Sequence, residues 1–218
     1  MTKIKLDFPG SALIIIDVQN DFCPGGALAV ENGDDVIEPV NRMASLFSAA
    51  GGRVVATQDW HPANHASFAS SHEGKKPGET IDLGDVRGQV LWPDHCVRGS
   101  RGADFNGGLD LKPVNLIIRK GFRAALDSYS AFFENDRKTS TGLDGFLKAL
   151  SIDTLVLGGL ATDYCVLYSA LDAAALGYKT IVAGDAIRGV GFPPGSVERA
   201  FTLFDEAGVI VAGSGEIQ

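Results

Sequence analysis

Short apolar runs alternate with helix-type segments along most of this 218-residue chain. The first run, Ala12–Ile16, is apolar without interruption, which is typical of a strand covered on both faces of a parallel sheet. The predicted strands are 11–17, 53–59, 115–120, 154–157, 179–183 and 209–212, and the predicted helices cover about 36–50, 143–150, 165–176 and 195–207. No internal repeat or linker interrupts the alternation. The pattern predicts one α/β domain over 1–218, a three-layer α/β/α arrangement with helices on both faces of an about six-stranded parallel sheet.

Composition narrows the class of protein. The chain is 45% hydrophobic and 21% charged, values of an ordinary globular protein. A net charge of -8 and the lack of a long basic run argue against a nucleic-acid partner. No run has the layout of a signal peptide or the length of a membrane span, and three distant cysteines without a CxxC pattern fit a reducing compartment. We therefore expect a cytoplasmic protein without a membrane partner; its oligomeric state stays open.

Four chemistry-bearing residues stand at or just after the carboxyl ends of predicted strands. They are Asp17, Asp59, Lys120 and Cys165. In open α/β sheets, binding sites form in the crevice beyond those strand ends. Each residue alone has an ordinary explanation, such as a turn, a solvated loop end or a small buried side chain. Random placement would rarely bring four of them to one edge, so the pattern indicates a functional site.

Cys165 follows a glycine-rich turn that begins a buried helix. Gly158 and Gly159 allow a tight backbone turn, and Thr162 or Asp163 is expected to cap the first helical turn. Free amides and the helix dipole favour a thiolate there, and a nearby ammonium lowers the pKa of a thiol further.

Asp17 could move protons and Lys120 could support the sulfur. Backbone amides near Ala161 and Cys165 could hold an oxyanion. Together these groups are those of a cysteine amidohydrolase.

The region from about 60 to 114 has little periodicity and carries all four histidines and both tryptophans. A loop region of that length in a compact domain is usually functional or disordered, and this composition favours function. Asp59 and His61 are two apart in extended chain and therefore share a face, and His95 is a third candidate ligand. One carboxylate with two imidazoles suits a divalent transition metal: zinc first, iron or manganese otherwise. His65 is a possible further ligand.

Aromatic residues flank these candidates along the chain. Phe22, Trp60, Trp92 and Tyr129 have the flat faces needed to enclose a ring substrate. Ordinary core packing is the alternative interpretation for each. Cys23 and Cys96 lack a basic neighbour pattern of their own and are interpreted as structural.

Several motifs resemble those of the nicotinamidases, within the isochorismatase-like hydrolases. They are Asp17-Val18-Gln19-Asn20-Asp21-Phe22, Asp59-Trp60-His61-Pro62, Trp92-Pro93-Asp94-His95-Cys96-Val97, Lys120-Gly121 and Ala161-Thr162-Asp163-Tyr164-Cys165-Val166, in family order from about residue 11 to 212. The Asp, Lys and Cys motifs alone would indicate only the superfamily, which includes other amidases and members without the cysteine. The Asp-Trp-His-Pro and Trp-Pro-Asp-His-Cys-Val pair is more specific, because it carries the family's metal site.

The resemblance implies a role for each matching residue. Asp17 would be the general base, Lys120 would support the thiolate, and Cys165 would be the nucleophile. The amides of Ala161 and Cys165 would form the oxyanion hole, with a cis peptide bond before Ala161. Further implied sets are the metal ligands Asp59, His61 and His95, and the ring-pocket residues Phe22, Trp92 and Tyr129.

The implied reaction is hydrolysis of nicotinamide to nicotinate and ammonia through a thioester, with pyrazinamide as an accepted analogue. Two other functions are compatible with parts of the sequence. A superfamily amidohydrolase acting on a carbamoyl or ureido substrate would have a pocket without metal. A binding or regulatory protein would have kept the fold and lost one of the three catalytic residues.

Overall fold

The computed structural model describes residues 3–218, which form eight strands and four α-helices. The strands are β1 (Ser11–Ile16), β2 (Arg53–Asp59), β3 (Thr80–Leu83), β4 (Val86–Val90), β5 (Leu116–Lys120), β6 (Thr154–Leu160), β7 (Lys179–Arg188) and β8 (Ile210–Ala212). The helices are α1 (Ile37–Ala49), α2 (Leu143–Ala149), α3 (Leu167–Ala175) and α4 (Ser196–Glu206). Six strands pair in parallel in the order β5-β2-β1-β6-β7-β8. The predicted α/β fold is confirmed.

Alternate residues of β1 enter two separate cores. Leu13 packs with Phe47 of α1 on one face of the sheet, whereas Ile14 packs with Leu147 of α2 and Phe204 of α4 on the other. Successive side chains of a strand point to opposite faces, so an uninterrupted apolar run requires cover on both sides. The sheet therefore lies between two helical layers, as the β1 sequence predicts.

The order of the sheet reverses between β1 and β6. From β1 the chain builds outward through β2 and β5, and from β6 it builds outward through β7 and β8. Connections that diverge in this way leave a crevice at the carboxyl ends of the two central strands. Asp17 directly follows β1, and Ala161 directly follows β6, so the switch point lies where the sequence places its candidate residues.

The region from 60 to 114 contains more regular structure than its sequence predicts. Strands β3 and β4 form an antiparallel hairpin that does not join the main sheet. Both strands are short and mostly exposed or half-buried, so their sequences lack the apolar alternation that marks a strand packed on a core.

The beginnings of α1 and α3 also differ from expectation. A 3₁₀ turn, Gly33–Val36, precedes α1. The sequence favours Asp34 or Asp35 as the cap of this helix, but no side-chain hydrogen bond caps either the turn or the helix. A π-helical turn, Thr162–Val166, precedes α3, so Thr162 and Asp163 lie inside the turn and do not cap it. Within residues 3–218, no helix combines the length and apolar character needed to cross a membrane.

Candidate active site

The ammonium group of Lys120 is the centre of the site. Lys120 is the last residue of β5 and is fully buried. Its Nζ lies 2.8 Å from Asp17 Oδ2 and 3.4 Å from Cys165 Sγ, and it also forms an ion pair with Asp59. The carbonyl oxygen of Ser128 accepts a further hydrogen bond from Nζ at 2.9 Å. The structure therefore brings all four strand-end residues predicted from the sequence to one point.

Asp17 is held by the neighbouring strand. Its backbone adopts a left-handed conformation with φ 47°, which aspartate tolerates better than most residues. The Thr57 hydroxyl donates to Asp17 Oδ1 at 2.6 Å, which leaves Oδ2 facing Lys120. Burial raises the pKa of the Asp17 carboxyl above its ordinary value, although Lys120 opposes this, and Asp59 raises it further. Asp17 is thus a stronger base than an exposed aspartate.

The Cys165 sulfur lies in the π turn after β6, and its environment corrects the expectation of a resting thiolate. Burial raises the pKa of the Cys165 thiol well above its ordinary value. The Lys120 ammonium lowers that pKa, but Asp17 and Asp59 raise it, so the neutral thiol is the resting form. The donor atoms of Asp17, Asp59 and Cys165 lie within 4.8 Å of one another, so two carboxylates are neighbours of the sulfur.

Asp59, His61 and His95 form a buried cluster of donor atoms beside Lys120. Asp59 Oδ2 lies 3.6 Å from His61 Nε2 and 4.0 Å from His95 Nε2. Nδ1 of His61 contacts the Gly121 carbonyl at 2.8 Å, and Nδ1 of His95 contacts the Pro93 carbonyl at 2.8 Å. Because a carbonyl only accepts, each Nδ1 carries a hydrogen, and Nε2 of each ring faces the carboxylate.

The charges of this cluster are strongly coupled. Burial raises the pKa of Asp59, but Lys120 and the two imidazoles hold it well below its ordinary value. Burial lowers the pKa of His61, yet Asp59 outweighs burial and the net shift is upward. Burial and the neighbouring His61 lower the pKa of His95 to about 4. A carboxylate beside the Nε2 atoms of two imidazoles is the donor set of a divalent cation site.

His65 is buried against the same cluster, but its nitrogens have other partners. The Ser67 backbone N–H donates to Nδ1 at 3.2 Å, so Nε2 carries the hydrogen, which faces the Leu126 carbonyl at 3.3 Å. A second donor set, from His61, His65 and Asp127, also lies within 4.8 Å. Because both nitrogens of His65 already have hydrogen-bond partners, Asp59, His61 and His95 are the better candidates for metal ligands.

A cavity opens beside Cys165, and its walls include the aromatic residues predicted from the sequence. It is lined by Phe22, Leu28, Asp59, Trp92, His95, Asp127, Tyr129, Ala161, Tyr164, Cys165 and Val190. The nucleophile candidate and two of the metal-ligand candidates therefore face the same space as Phe22, Trp92 and Tyr129. Trp60 does not line it, because its ring stacks on the Arg119 guanidinium at 3.9 Å, so its interpretation as a ring-binding residue is wrong.

Ala161 occupies the position expected from the family resemblance. It lines the cavity next to Cys165, and the peptide bond between Leu160 and Ala161 is cis.

Sequence reasoning missed several residues of this cavity. Leu28 and Asp127 lie in loops away from the strand ends, whereas Tyr164 and Val190 follow the ends of β6 and β7. Tyr164 packs edge-on against Trp92 with ring centroids 4.8 Å apart. Its position next to Cys165 in the sequence could have identified it as a cavity residue.

A family model, the isochorismatase domain, matches residues 11–214. The chain belongs to the isochorismatase-domain family.

The relatives at high identity are nicotinamidases, which confirms the resemblance found in the motifs. The nicotinamidase of Acinetobacter baylyi is 48% identical over 198 residues, 91% of this chain and 90% of that protein. A solved nicotinamidase and pyrazinamidase of Acinetobacter baumanii is 49% identical with a TM-score of 0.91, covering 95% of this chain and 98% of its own. A Pyrococcus horikoshii pyrazinamidase, solved in complex with zinc, is 34% identical with a TM-score of 0.77, covering 94% of this chain and 99% of its own.

Proposed function

We propose that this protein hydrolyses nicotinamide to nicotinate and ammonia, and accepts pyrazinamide as an analogue. The observation that carries the proposal is the convergence of Lys120 and Asp17 near Cys165, which lines a cavity together with aromatic rings, Asp59 and His95. The nicotinamidase and pyrazinamidase relatives support this choice of substrate.

In the first half of the reaction, Asp17 removes the proton from the Cys165 thiol. Its raised pKa suits this task, and Lys120 stabilises the thiolate as it forms. The sulfur then bonds to the carboxamide carbon, and the carbonyl electron pair moves to oxygen, where the amides of Ala161 and Cys165 would hold the charge. As the oxyanion collapses, the carbon–nitrogen bond breaks and Asp17 returns its proton to the leaving nitrogen. The products are ammonia and a thioester on Cys165.

In the second half, a water molecule replaces ammonia beside Asp17. Asp17 takes a proton from this water as the water oxygen attacks the thioester carbon. The carbon–sulfur bond then breaks, Asp17 passes its proton to the sulfur, and the carboxylic acid releases its remaining proton to solvent and leaves as a carboxylate. One aspartate therefore acts as base in both halves and as acid towards the leaving nitrogen, which requires a pKa closer to neutrality than that of an exposed aspartate.

Asp59, His61 and His95 would hold one divalent metal ion, and zinc is the ion we propose. The orientation of both imidazoles, with Nδ1 hydrogens on backbone carbonyls and Nε2 towards Asp59, fits a cation. The zinc-bound relative supports the choice of metal. When bound, the ion supplies a Lewis acid for a ring nitrogen. Asp59 also pairs with Lys120, so the same carboxylate links this cluster to the catalytic group.

The function is tested by ammonia release from a panel of amides. Nicotinamide and pyrazinamide should be hydrolysed, whereas benzamide, which lacks a ring nitrogen, and carbamoyl or ureido compounds should react far more slowly. The aromatic cavity and the Asp59 cluster favour this outcome over a carbamoyl amidohydrolase. A preference for a carbamoyl or ureido compound over nicotinamide would reject the proposal.

Metal content provides a separate prediction. The variants Asp59→Ala and His61→Ala should lose the bound metal, because each removes one of three donor groups from the cluster. His72→Ala should keep the metal, since His72 Nε2 contacts the Ala66 carbonyl at 2.7 Å and belongs to neither donor set. Elemental analysis after dialysis, expressed per mole of folded protein, gives the comparison.

His65→Ala distinguishes the two donor sets. If His65 only packs against His61, whose ring centroid is 4.3 Å away, the variant should retain most of its metal. Metal loss in His65→Ala as complete as that in His61→Ala would assign the site to the set that includes Asp127. Equal metal in Asp59→Ala, His61→Ala and His72→Ala would contradict both assignments.

A further inference from the structure

Gln89 holds two polar groups of the cavity wall, although it belongs to the small hairpin and not to the main sheet. It lies on β4 and is 3% exposed. Its Nε2 lies 2.9 Å from Asp127 Oδ2 and 3.0 Å from Tyr129 Oη, and also 2.9 Å from the Val90 carbonyl. Asp127 and Tyr129 both line the cavity that contains Cys165. The two hydrogens of Nε2 are shared among these three acceptors, which fixes the amide within the cavity wall.

The orientation of the Gln89 amide is fixed by its neighbours. The backbone N–H of Tyr129 donates to Asn135 Oδ1 at 3.0 Å, and a backbone N–H cannot accept. The other end of the Asn135 amide, Nδ2, therefore faces Gln89 and donates to Oε1 at 2.9 Å. The oxygen of the Gln89 amide therefore faces Asn135, and its nitrogen, Nε2, faces the Tyr129 hydroxyl.

Two donors therefore converge on the Tyr129 hydroxyl. Gln89 Nε2 and Trp92 Nε1 each lie 3.0 Å from Oη, and neither nitrogen can accept a hydrogen bond. The phenol hydrogen must point away from both. Among residues 3–218, no group accepts it within hydrogen-bonding distance. Burial raises the pKa of Tyr129 well above its ordinary value, so this hydrogen is retained throughout the neutral range.

We infer that Gln89 is a positioning residue that, with Asn135, orients the Tyr129 hydroxyl as a hydrogen-bond donor to the substrate. The inference rests on the proposed amidase function and adds a specificity requirement to it. The substrate must offer this wall of the cavity an acceptor lone pair that the proposed metal does not use. A ring nitrogen has a single lone pair, whereas the carboxamide oxygen has two, so the carboxamide oxygen is the acceptor.

The test compares Tyr129→Phe, Gln89→Leu and the double variant by steady-state ammonia release from nicotinamide. Each single variant should raise KM about five-fold, the effect of losing one neutral hydrogen bond. The kcat should fall by no more than a similar factor, because the carboxamide oxygen accepts the bond in the substrate and keeps it as the oxyanion forms. The double variant should show no larger KM than the worse single variant, since Gln89 acts through Tyr129.

Two further variants keep the test decisive. Arg87→Leu alters an exposed side chain on the same strand and should leave KM unchanged, which separates the effect of Gln89 from general damage to the hairpin. Gln89→Glu preserves the side-chain shape but offers oxygens to Tyr129, so it should accept the phenol hydrogen and raise KM even if Gln89→Leu does not fold. Thermal unfolding establishes which variants are folded.

Unchanged KM in folded Gln89 variants, or KM changes that multiply in the double variant, would overturn the role of Gln89 while leaving the amidase function intact. A wild-type chain that released no ammonia from nicotinamide would instead overturn the proposed function, and the role of Gln89 with it.

Discussion

Cys165→Ala should release ammonia from nicotinamide at least about 10⁴-fold more slowly than the wild-type chain, because alanine offers no atom that can form the acyl-enzyme bond. The sulfur is the proposed nucleophile and lies 3.4 Å from Lys120 Nζ, in the wall of the cavity. Lys120 and Asp17 would remain in place but would have no thiol to deprotonate. Ammonia release in the presence of excess nicotinamide measures the change.

The variant should remain folded, because it removes only one small buried side-chain atom. A deletion of this size costs about 1 kcal/mol of unfolding free energy, which thermal unfolding can detect without loss of the native state. Cys23→Ala is the matched control: Cys23 is also a buried free cysteine, but it does not line the cavity. Near-normal turnover in Cys23→Ala together with its loss in Cys165→Ala would assign the chemistry to one sulfur. Full activity in Cys165→Ala would remove it from the mechanism.

The placement of the strand-end residues was predictable from the sequence. Asp17 and Lys120 each end an apolar or β-branched run, and parallel strands carry such residues to one edge of the sheet whatever the details of packing. The spacing of Asp59 and His61 was informative for the same reason, since alternate residues of extended chain share a face. These inferences depend only on local periodicity and sheet direction.

The electrostatics of Cys165 and the role of Gln89 were not predictable in this way. The sequence indicates one ammonium near the sulfur, but the pKa of the thiol also depends on burial and on two carboxylates, which become neighbours only after folding. Gln89 lies in a hairpin with no clear apolar period, and its contact with Tyr129 joins residues 40 apart. Such contacts are determined by how one loop closes over another.

Asp17→Asn should lower turnover of nicotinamide about 10³-fold and yet make Cys165 more reactive towards a small alkylating agent. Asp17 is the proposed carrier of the proton that ammonia needs to leave, and general acid–base catalysis of this kind contributes about 10²- to 10⁴-fold. The same carboxylate, however, opposes ionisation of the sulfur. Burial raises the pKa of the Cys165 thiol, Lys120 lowers it, and Asp17 raises it again. In the variant, burial and Asp59 still raise the pKa of Cys165 and Lys120 still lowers it, but the contribution of the Asp17 charge is lost.

The sign of the pH effect follows from these causes. Without the Asp17 carboxylate the pKa of Cys165 falls, so the thiolate fraction at any pH below that pKa rises, and the pH profile of alkylation by iodoacetamide moves to lower pH. Peptide mass spectrometry separates alkylation of Cys165 from that of Cys23 and Cys96, which should not change. If Asp17→Asn lost turnover and alkylation together, Asp17 would act by ionising the resting thiol. Slow turnover with faster alkylation means that Asp17 delivers protons during the reaction, and that the resting enzyme holds its sulfur neutral until substrate arrives.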